Sequence, residues 1–346
     1  MSQARLLMVY DKRSTFVGRD VDLLSEDYTV SEFHFNVVPK WKTPVAFLSQ
    51  FFYLIFRGWT LKKVVCQSAG YLSFLPSVLS KVMPFKCYII AIGTDASRLP
   101  EINYGHYTKP VLKWFATQSY RLCERILPVH KSLHKSTYTY DDIAFSQQGF
   151  GHFIPNLSTP VTEVVNGYRH ALFTQNLAHN ARPKDFLTVA VKLNKAAYFR
   201  KGLDLILASA RALPQHSFTV VSEFEPLESI PENVTLVKNV SQQELVQIYN
   251  AHKFYLQISM FEGFPNALCE AMLCGCVPIG SEVAAIPEII KDTGYLLKRR
   301  DADLLAGLLK EALANPNNAE LEPRKRILEE FPVERRKREL LTAISE

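Results

Sequence analysis

The chain alternates short apolar, β-branched runs with segments of helical periodicity, and it does so twice. In the first half this pattern predicts strands at Arg5–Tyr10, Tyr28–Phe35, Lys63–Gln67, Cys87–Ile92 and Arg125–Val129. Helical periodicity at 43–56, 72–82 and 110–123 separates several of them. Because parallel strands need long crossover connections, which helices commonly supply, this order is typical of a parallel α/β sheet.

The same order starts again near residue 186. Strands are predicted at Phe186–Val191, Ser217–Ser222, Val234–Val237, Phe254–Ile258 and Val277–Gly280. Helices are predicted at 201–213, after the capping box Ser241–Glu244, and from Pro265-Asn266 to Gly275, with Asn266 as the N-cap.

A chain of 346 residues suits two domains. We predict an α/β fold of two Rossmann-like parallel domains that face a central cleft, where ligands of such sheets bind. The predicted domains are residues 1–165 and 166–325, and a C-terminal helix at 326–346 is expected to pack back on the first domain. A hinge is predicted at 166–168 and in the polar stretch 174–184.

The composition is that of a folded protein, with 47% hydrophobic, 12% aromatic and 21% charged residues, which excludes an intrinsically disordered chain. The net charge of +6 is unevenly distributed: residues 1–170 carry a net +7 and residues 171–346 a net −1. Residues 40–135 contain 14 basic and only 3 acidic side chains. This asymmetry favours an anionic partner for the first half, although moderately basic halves are also common in proteins without one.

The segment Val45–Phe56 is the most apolar in the chain and has two interpretations. It falls short of the roughly 18–20 apolar residues that span a bilayer, and it fits a buried helix. With Lys42, Arg57 and Lys62 nearby, it also fits a helix that lies on a membrane surface. The apolar stretch Leu6–Tyr10 is too short for a signal peptide, so no targeting segment is expected.

The six cysteines have no zinc-site spacing, and those at 269, 274 and 276 lie in an apolar run that predicts core positions. A chain of this size needs no disulfides, so a reducing, cytoplasmic location is expected.

The most informative segment is Ser259–Glu270, which follows a predicted strand and begins a helix. The free backbone N–H groups of Ala267, Leu268 and Cys269, at the positive end of the helix dipole, would form an anion site. Glu262 and Glu270 lie on either side of it and would repel a phosphate if they pointed at it. They suit hydroxyl groups on both sides of a diphosphate, as in a nucleotide sugar. Alternatively, they only stabilise the helix N-terminus electrostatically.

Two lysines are predicted at the same edge of the second sheet. Lys192 ends the first strand of this half, and Lys201 begins the helix that follows. Both would neutralise a diphosphate, while Lys195 and Arg200 in the same loop could do so instead.

The run from Glu262 to Ile290, EGFPNALCEAMLCGCVPIGSEVAAIPEII, resembles the signature of the family-4 retaining glycosyltransferases of the GT-B fold. It has the family's two glutamates separated by seven residues. Other family segments follow in order: VKL with RKGLD, VVNGY with Phe173, and TGYLL near Gly294. The resemblance is strong over about 160–310 and covers the first half only in general layout.

The resemblance implies a role for each matched residue. Glu270 would bind the donor ribose, and Glu262 the hydroxyls of the donor sugar. Lys192 and Lys201 would bind the diphosphate, although Lys192 stands where the family more often has Arg and so lacks the bidentate fork. The backbone from Gly263 through Phe264, Asn266, Ala267 and Leu268 would line the sugar–phosphate pocket.

The first half departs further from the family. After the first strand it has DKRSTFVG, with one glycine instead of a glycine-rich turn, so Lys12, Arg13 and Gly18 are candidates for the acceptor side. Asp95 in the segment Gly93–Asp95 is a candidate for orienting the acceptor, or a turn residue. The family's histidine near this point is missing, and His106 lies too far along the chain to be equated with it.

The resemblance implies transfer of a hexose from a nucleoside-diphosphate sugar, UDP or GDP, with retention of configuration. Neither a metal ion nor another cofactor is expected, because Lys192, Lys201 and the helix N-terminus would stabilise the leaving diphosphate. A cell-envelope glycan, glycolipid or polyprenyl-linked acceptor at the inner face of an anionic membrane would suit the basic first half, and nucleic acid is not expected as a partner. The alternatives are a nucleotide-sugar epimerase and a catalytically silent nucleotide-sugar-binding subunit.

Overall fold

The computed structural model describes residues 3–345 except 225–228 and 239, and it does not describe the side chains at 40, 191, 192, 195 and 224. In chain order the elements of the first half are β1 (Arg5–Tyr10), α1 (Thr15–Ser25), β2 (Thr29–His34), α2 (Thr43–Arg57), β3 (Lys63–Gln67), α3 (Tyr71–Leu79), β4 (Lys86–Ala91), α4 (Pro110–Leu122), β5 (Arg125–Pro128), β6 (Ser136–Thr137), β7 (Gln147–Gln148) and α5 (Phe150–Phe153).

The first sheet is parallel, with strand order β2-β1-β3-β4-β5. Its five strands match the predicted ones to within one residue at each end. Helix α1 was not predicted because Asp20 and Asp22 interrupt its apolar pattern. In the structure Asp20 is fully buried, so a residue that reads as polar surface is part of the core face of α1.

The second half contains β8 (Lys184–Leu193), α6 (Lys195–Arg200), α7 (Leu203–Ala212), β9 (Phe218–Phe224), β10 (Val234–Val237), α8 (Gln242–Ala251), β11 (His252–Gln257), α9 (Asn266–Leu273), β12 (Val277–Ser281), α10 (Ile286–Ile290), β13 (Tyr295–Leu297), α11 (Ala302–Ala314), α12 (Pro323–Glu330) and α13 (Val333–Ser345). They form a parallel sheet of order β10-β9-β8-β11-β12-β13 with flanking helices. The prediction of two Rossmann-like parallel α/β domains is confirmed.

Helix α13 returns to the first domain and is held there by a buried ion pair. The Arg336 guanidinium donates from Nε and Nη2 to the two carboxylate oxygens of Asp20 on α1, each at 2.6 Å. Its Nη1 donates to the carbonyls of Val164 and Val165, and Gln67 also donates to Asp20. Both charged side chains are at most 1% exposed, so this network joins α1, α13 and the end of the first domain.

The predicted hinge at 166–168 is tightly packed in the structure. A Cβ on Gly167 would lie 2.8 Å from Pro332 O and 2.9 Å from Arg336 Cβ, so the start of α13 leaves room only for glycine. The Tyr168 N–H donates to Phe331 O at 2.9 Å. The two chain crossings between the domains therefore run side by side and are bonded to each other.

Helix α2 is buried on one side and exposed on the other, and its placement on a membrane surface stays a prediction. Ala46, Gln50 and Leu54 are buried, whereas Val45, Leu48 and Phe52 on its other side are exposed. Within the described residues, every helix is too short or too polar to cross a bilayer. All six cysteines are buried free thiols, which confirms the core positions predicted for 269, 274 and 276.

We predict that Arg336→Met destabilises the protein by about 3–5 kcal/mol, because the substitution leaves the Asp20 carboxylate buried without its counter-charge. The free energy of unfolding in urea measures this loss. The double variant Asp20→Leu with Arg336→Met should recover much of the stability, since it buries no unpaired charge. An Arg336→Met variant as stable as the unmodified protein would contradict the proposed dependence on this pair.

Candidate active site

The loop that follows β11 holds Glu262 in a network of three donors. Glu262 Oε1 accepts from Lys201 Nζ at 2.5 Å, from Ser259 Oγ at 2.8 Å and from Gln257 Nε2 at 3.2 Å. Burial acts to raise the pKa of Glu262, and the positive charges of Lys201 and Arg200 outweigh it, so the pKa is lowered. Glu262 is therefore an ionised carboxylate at neutral pH, with its position fixed by the end of β11.

Lys201 reaches Glu262 because of the glycine beside it. Gly202 has φ +68°, and a Cβ there would lie 2.0 Å from Ile258 O. Only glycine allows this turn between α6 and α7 to pass so close to the end of β11. The Met260 N–H also donates to Arg200 O at 2.7 Å, which ties the two loops together.

Helix α9 begins at the same edge of the sheet. Its N-cap is Pro265, and Asn266 is already the first helical residue, so the prediction of Asn266 as the N-cap is wrong. The difference arises because Asn266 Oδ1 does not cap the helix. It accepts from Tyr168 Oη at 2.8 Å and from Asn166 Nδ2 at 3.4 Å, and so joins α9 to the interdomain linker.

This shift by one residue changes which backbone donors are free at the helix N-terminus. The Cys269 N–H, predicted to be free, donates to Pro265 O at 3.4 Å. Asn266, Ala267 and Leu268 lie in the first turn of α9. Their N–H groups have no acceptor within the helix, because no helical carbonyl lies four residues before them. The side chain of Leu268 is fully buried, so its contribution to a ligand is limited to the backbone.

Phe264 is also a packing residue. Its ring lies 5.3 Å from that of Phe331 and 6.4 Å from that of Tyr168, and it is 6% exposed. A ligand in the cleft would meet the backbone of this segment, as the sequence predicts.

Glu270 lies one turn inside α9, at a cavity of about 360 Å³ between the two domains. The cavity is lined from the second half by Glu270 and Gln242, from the linker by residues around Tyr168, and from the first domain by residues 13–22 at the start of α1. Glu270 Oε2 accepts a long hydrogen bond, 3.4 Å, from Tyr249 Oη.

The pKa of Glu270 is raised, whereas that of Glu262 is lowered. Burial raises the pKa of Glu270 to about 6, and the positive charge of Arg19 and the Tyr249 hydrogen bond only partly offset this. Glu262 has an ion-pair partner at 2.5 Å, whereas Glu270 faces the open cavity. Glu270 is thus the carboxylate whose position suits a ligand hydroxyl donor.

Two of the three acceptor-side candidates line the cavity beside Glu270. Arg13 and Gly18 are among its lining residues, and Arg13 Nε donates to Glu32 at 2.9 Å. Lys12 is exposed in the preceding loop and is not among them. Their location places Arg13 and Gly18 on the Glu270 side of the site.

Sequence analysis missed Arg19, which the structure places between the domains. Its guanidinium lies 5.0 Å from the centre of the Tyr168 ring and donates to the Gly167 carbonyl. Arg19 also lines the cavity of Glu270. No sequence signal marks this residue, because its role depends on the contact of α1 with the linker.

A second interdomain contact joins two glycines. A Cβ on Gly93 would lie 3.0 Å from Gly263 N, and a Cβ on Gly263 would lie 2.0 Å from Ile92 O. The loop after β4 therefore touches the loop that carries Glu262. Beside this contact, the Arg200 guanidinium lies 4.7 Å from the ring centre of Tyr104, whose hydroxyl bonds that of Thr94 at 2.9 Å.

Asp95 is fully buried below this contact. One carboxylate oxygen accepts from the N–H groups of Ile92 and Gly93, and the other from Ala69 N–H and Tyr120 Oη. These four bonds hold the loop after β4 in shape. They favour the turn role of Asp95 over direct contact with an acceptor.

Two candidates of the sequence analysis fall outside the described side chains. Lys192 lies in β8 opposite Glu223, and Lys195 begins α6, but the contacts of both side chains lie outside the described part of the structure. Among the described residues, no group of three or more His, Cys, Asp or Glu side chains is placed to hold a metal ion. Metal independence stays a prediction.

We predict that Glu270→Gln stabilises the ligand-free protein by about 1–2 kcal/mol above pH 6.5. The folded state holds the Glu270 proton more tightly than the unfolded chain, so stability falls as the pH rises from about 4.5 through 6. Glutamine removes this loss. The gain should vanish near pH 4, where both states of the unmodified protein hold the proton, as denaturant unfolding at several pH values would show.

The matched control is Glu311→Gln on α11, where the side chain is exposed. It should change stability little at either pH. A Glu270→Gln variant without a pH-dependent gain would contradict the raised pKa.

We predict that Gly263→Ala opens the contact between the two domains, because the new Cβ would overlap the Ile92 carbonyl. Hydrogen exchange measured by mass spectrometry should become faster in both 90–96 and 260–266. Gly307→Ala on α11, where a Cβ meets nothing within 4 Å, is the control and should leave both segments unchanged. Equal exchange in the two variants would refute the contact.

Comparison with known proteins gives a family match for the second half of the chain. Residues 162–330 match the family model described as "Glycosyl transferases group 1". Curated relatives include O-antigen chain mannosyltransferase B of Escherichia coli, 28% identical over 82 residues, which are 24% of this chain and 22% of that protein. Another is GDP-mannose:cellobiosyl-diphosphopolyprenol alpha-mannosyltransferase of Xanthomonas campestris, 30% identical over 97 residues, or 28% and 26% of the two chains. The matched segments span from 9% to 33% of the lengths of the curated relatives.

Similar solved structures cover almost the whole chain. Sucrose-phosphate synthase from Thermosynechococcus elongatus has a TM-score of 0.76 at 13% identity, covering 98% of both chains. HepE from Anabaena, solved in complex with UDP and glucose, has a TM-score of 0.73 at 12% identity, covering 99% of this chain and 100% of HepE. The predicted GT-B fold is confirmed, and residues 162–330 carry a glycosyltransferase group 1 domain within it.

Proposed function

We propose that this protein is a retaining glycosyltransferase that moves a hexose from a nucleoside-diphosphate sugar to a cell-envelope glycan, glycolipid or polyprenyl-linked acceptor. The observation that carries the proposal is the arrangement around the free N–H groups at the start of α9. Glu262, paired with Lys201, lies on one side of these groups, and Glu270 lies on the other side at the interdomain cavity. The group 1 domain at 162–330 contains all of these residues.

The arrangement fits the three parts of a nucleotide sugar. The ribose would lie in the cavity, with its hydroxyls donating to Glu270. The diphosphate would accept from the N–H groups of Asn266, Ala267 and Leu268 at the positive end of α9. The hexose would then extend toward Glu262, which accepts from its hydroxyls.

Lys201 has two anionic partners in this scheme. Before the donor binds, Lys201 neutralises Glu262 at 2.5 Å, so the buried carboxylate has a counter-charge. A bound diphosphate would compete for the same ammonium group while the sugar hydroxyls bind Glu262. As the bond to the sugar breaks, Lys201, Lys192 and the α9 dipole would stabilise the charge that develops on the leaving phosphate.

Retention would follow if the acceptor hydroxyl attacks on the face from which the diphosphate leaves. The proton of that hydroxyl would pass to the departing phosphate, so this route requires no protein nucleophile. The first domain would hold the acceptor and close the cleft through the contact of Gly93 with Gly263.

The donor is proposed to be a UDP- or GDP-sugar. HepE was solved with UDP-glucose, and the Xanthomonas relative is named for GDP-mannose and a diphosphopolyprenol-linked acceptor. The mannosyltransferase named for an O-antigen chain also supports an envelope glycan. We further propose that the protein acts in the cytoplasm, at the inner face of the membrane where lipid-linked acceptors are presented.

We predict that one class of donor raises the melting temperature in a screen of UDP-, GDP- and ADP-sugars, because a ligand that binds only the native state stabilises it. With that donor and a polyprenyl-linked or glycolipid acceptor, Glu262→Gln should lower transfer about 100-fold or more. The free variant should remain folded with a somewhat lower melting temperature, because Lys201 loses its charged partner. Glu311→Gln is the matched control and should retain full activity.

The alternatives give different results in the same assays. An epimerase would convert the donor sugar without any acceptor, and a silent subunit would bind the donor without turnover in either variant. Product of inverted anomeric configuration, read by NMR, would contradict retention. Unchanged transfer by Glu262→Gln would refute the proposed site.

A further inference from the structure

Helix α2 is apolar on two opposite faces, and only one of them is packed against the protein. The inner face carries Ala46, Gln50 and Leu54 at intervals of four residues, and Gln50 Nε2 donates to Leu72 O at 2.8 Å. Phe47 packs on Phe115 of α4, with ring centres 5.5 Å apart. This face is fully accounted for by the fold of the first domain.

The outer face of α2 is formed by Val45, Leu48, Phe52 and Phe56, spaced three and four residues apart. All four are exposed, Phe56 by 75%. The rings of Phe52 and Phe56 stack on each other at 6.4 Å and leave their outer surfaces uncovered. The outer face continues at both ends in an exposed tryptophan, Trp41 before the helix and Trp59 after it.

An apolar stripe of this length is unusual on a protein surface. Helix α2 has 15 residues and is therefore about 22 Å long. Single exposed apolar residues are common, but a continuous aromatic and aliphatic stripe marks a surface that is covered by something else.

The charges around this stripe indicate what covers it. Residues 33–94, which include α2 and α3, contain seven Lys or Arg and no Asp or Glu. Two of the seven are engaged elsewhere: Lys86 pairs with Glu124 at 2.8 Å, and Lys63 donates to the Ile344 carbonyl. Arg57, Lys62 and Lys81 are exposed near the C-terminal end of α2, and Lys42 lies at its start, with its ammonium 5.8 Å from the Trp41 ring centre. Tryptophan at the ends of an apolar face, with cations beside it, suits the interface between lipid headgroups and acyl chains.

We propose that the outer face of α2 is a docking surface for an anionic lipid bilayer. The aromatic side chains would enter the acyl boundary, and the flanking cations would bind anionic headgroups. A second copy of this chain fits less well, because a two-fold contact would bring the same uncompensated cations together.

The place of α2 beside the first sheet brings one end of this surface close to the cleft. The chain leaves β2 at the carboxyl edge of the parallel sheet, and α2 begins nine residues later at Thr43. The loop after β4, which contacts Gly263, leaves the sheet at the same edge. The Trp41 end of the docking surface therefore lies on the side of the cleft, and a docked membrane would present lipid-linked molecules there. Only this last step rests on the proposed function; the docking surface itself does not.

The test is co-sedimentation of the full chain with vesicles of phosphatidylcholine alone and of phosphatidylcholine mixed with phosphatidylglycerol. We expect binding to the mixed vesicles at low ionic strength and weaker binding in higher salt, where headgroup charges are screened. Phe52→Glu with Phe56→Glu should lower the bound fraction about tenfold or more. Arg57→Gln with Lys62→Gln should lower binding to the mixed vesicles selectively.

The matched control is Leu304→Glu, which places a charge on an equally exposed apolar residue of α11 in the second domain and should bind vesicles like the unmodified protein. No binding to mixed vesicles, or equal loss in the control, would overturn the proposal. So would sedimentation velocity that shows a dimer converted to monomer by the Phe52 and Phe56 changes, because a second copy would then cover this face.

The melting-temperature response to nucleotide sugars separates this proposal from the proposed function. It should be the same in the Phe52→Glu, Phe56→Glu variant and in the unmodified protein, because α2 is outside the donor site. Vesicle binding without any donor response would refute the proposed function and leave the docking surface intact. A donor response without vesicle binding would refute the docking surface and leave the proposed function intact.

Discussion

A buried ion pair anchors the C-terminal helix α13 to the first domain, and the linker between the domains packs against the start of this helix. Arg336 binds both carboxylate oxygens of Asp20 and, through Nη1, the last carbonyls of the first domain. The same contact packs the start of α13 against Gly167, where only glycine fits. Asp20 lies on α1, and the N-terminal end of the same helix lines the cavity of Glu270. Two charged residues 316 positions apart in sequence therefore hold the returning chain on the first domain.

Within the cleft, the two glutamates of one motif have opposite electrostatic environments. Lys201 and Arg200 lower the pKa of Glu262, while burial raises that of Glu270 to about 6. Gly202 brings Lys201 to the end of β11 beside Glu262, whereas none of the described cations lies within ion-pair distance of Glu270. The site therefore holds one carboxylate with three hydrogen-bond donors and leaves the other at the cavity, where the proposed donor would contact both.

Sequence patterns predicted the elements that depend on local periodicity. They failed where a contact with a residue distant in the sequence determines the burial or the hydrogen bonding of a side chain. The five strands of the first sheet and the capping box at Ser241 were predicted closely, because alternation and capping are properties of neighbouring residues. Helix α1 was missed because Asp20 has a polar side chain whose partner lies on α13. Asn266 was predicted to be an N-cap, but its side-chain oxygen accepts a hydrogen bond from Tyr168 in the linker. Arg19 carried no signal at all, since its position depends on the packing of two domains.

Helix α2 is another element whose environment the sequence pattern does not determine. Its composition left a choice between a buried helix and a membrane-surface helix, and a sequence cannot separate them because both require an apolar stripe. In a parallel α/β domain, a helix that covers the sheet buries one face only. Ala46, Gln50 and Leu54 already supply that face, so Val45, Leu48, Phe52 and Phe56 are apolar beyond what the fold requires. Selection for stability alone gives no reason to keep Phe56 and Trp59 in water, and the acid-free stretch around them indicates an anionic surface as the reason.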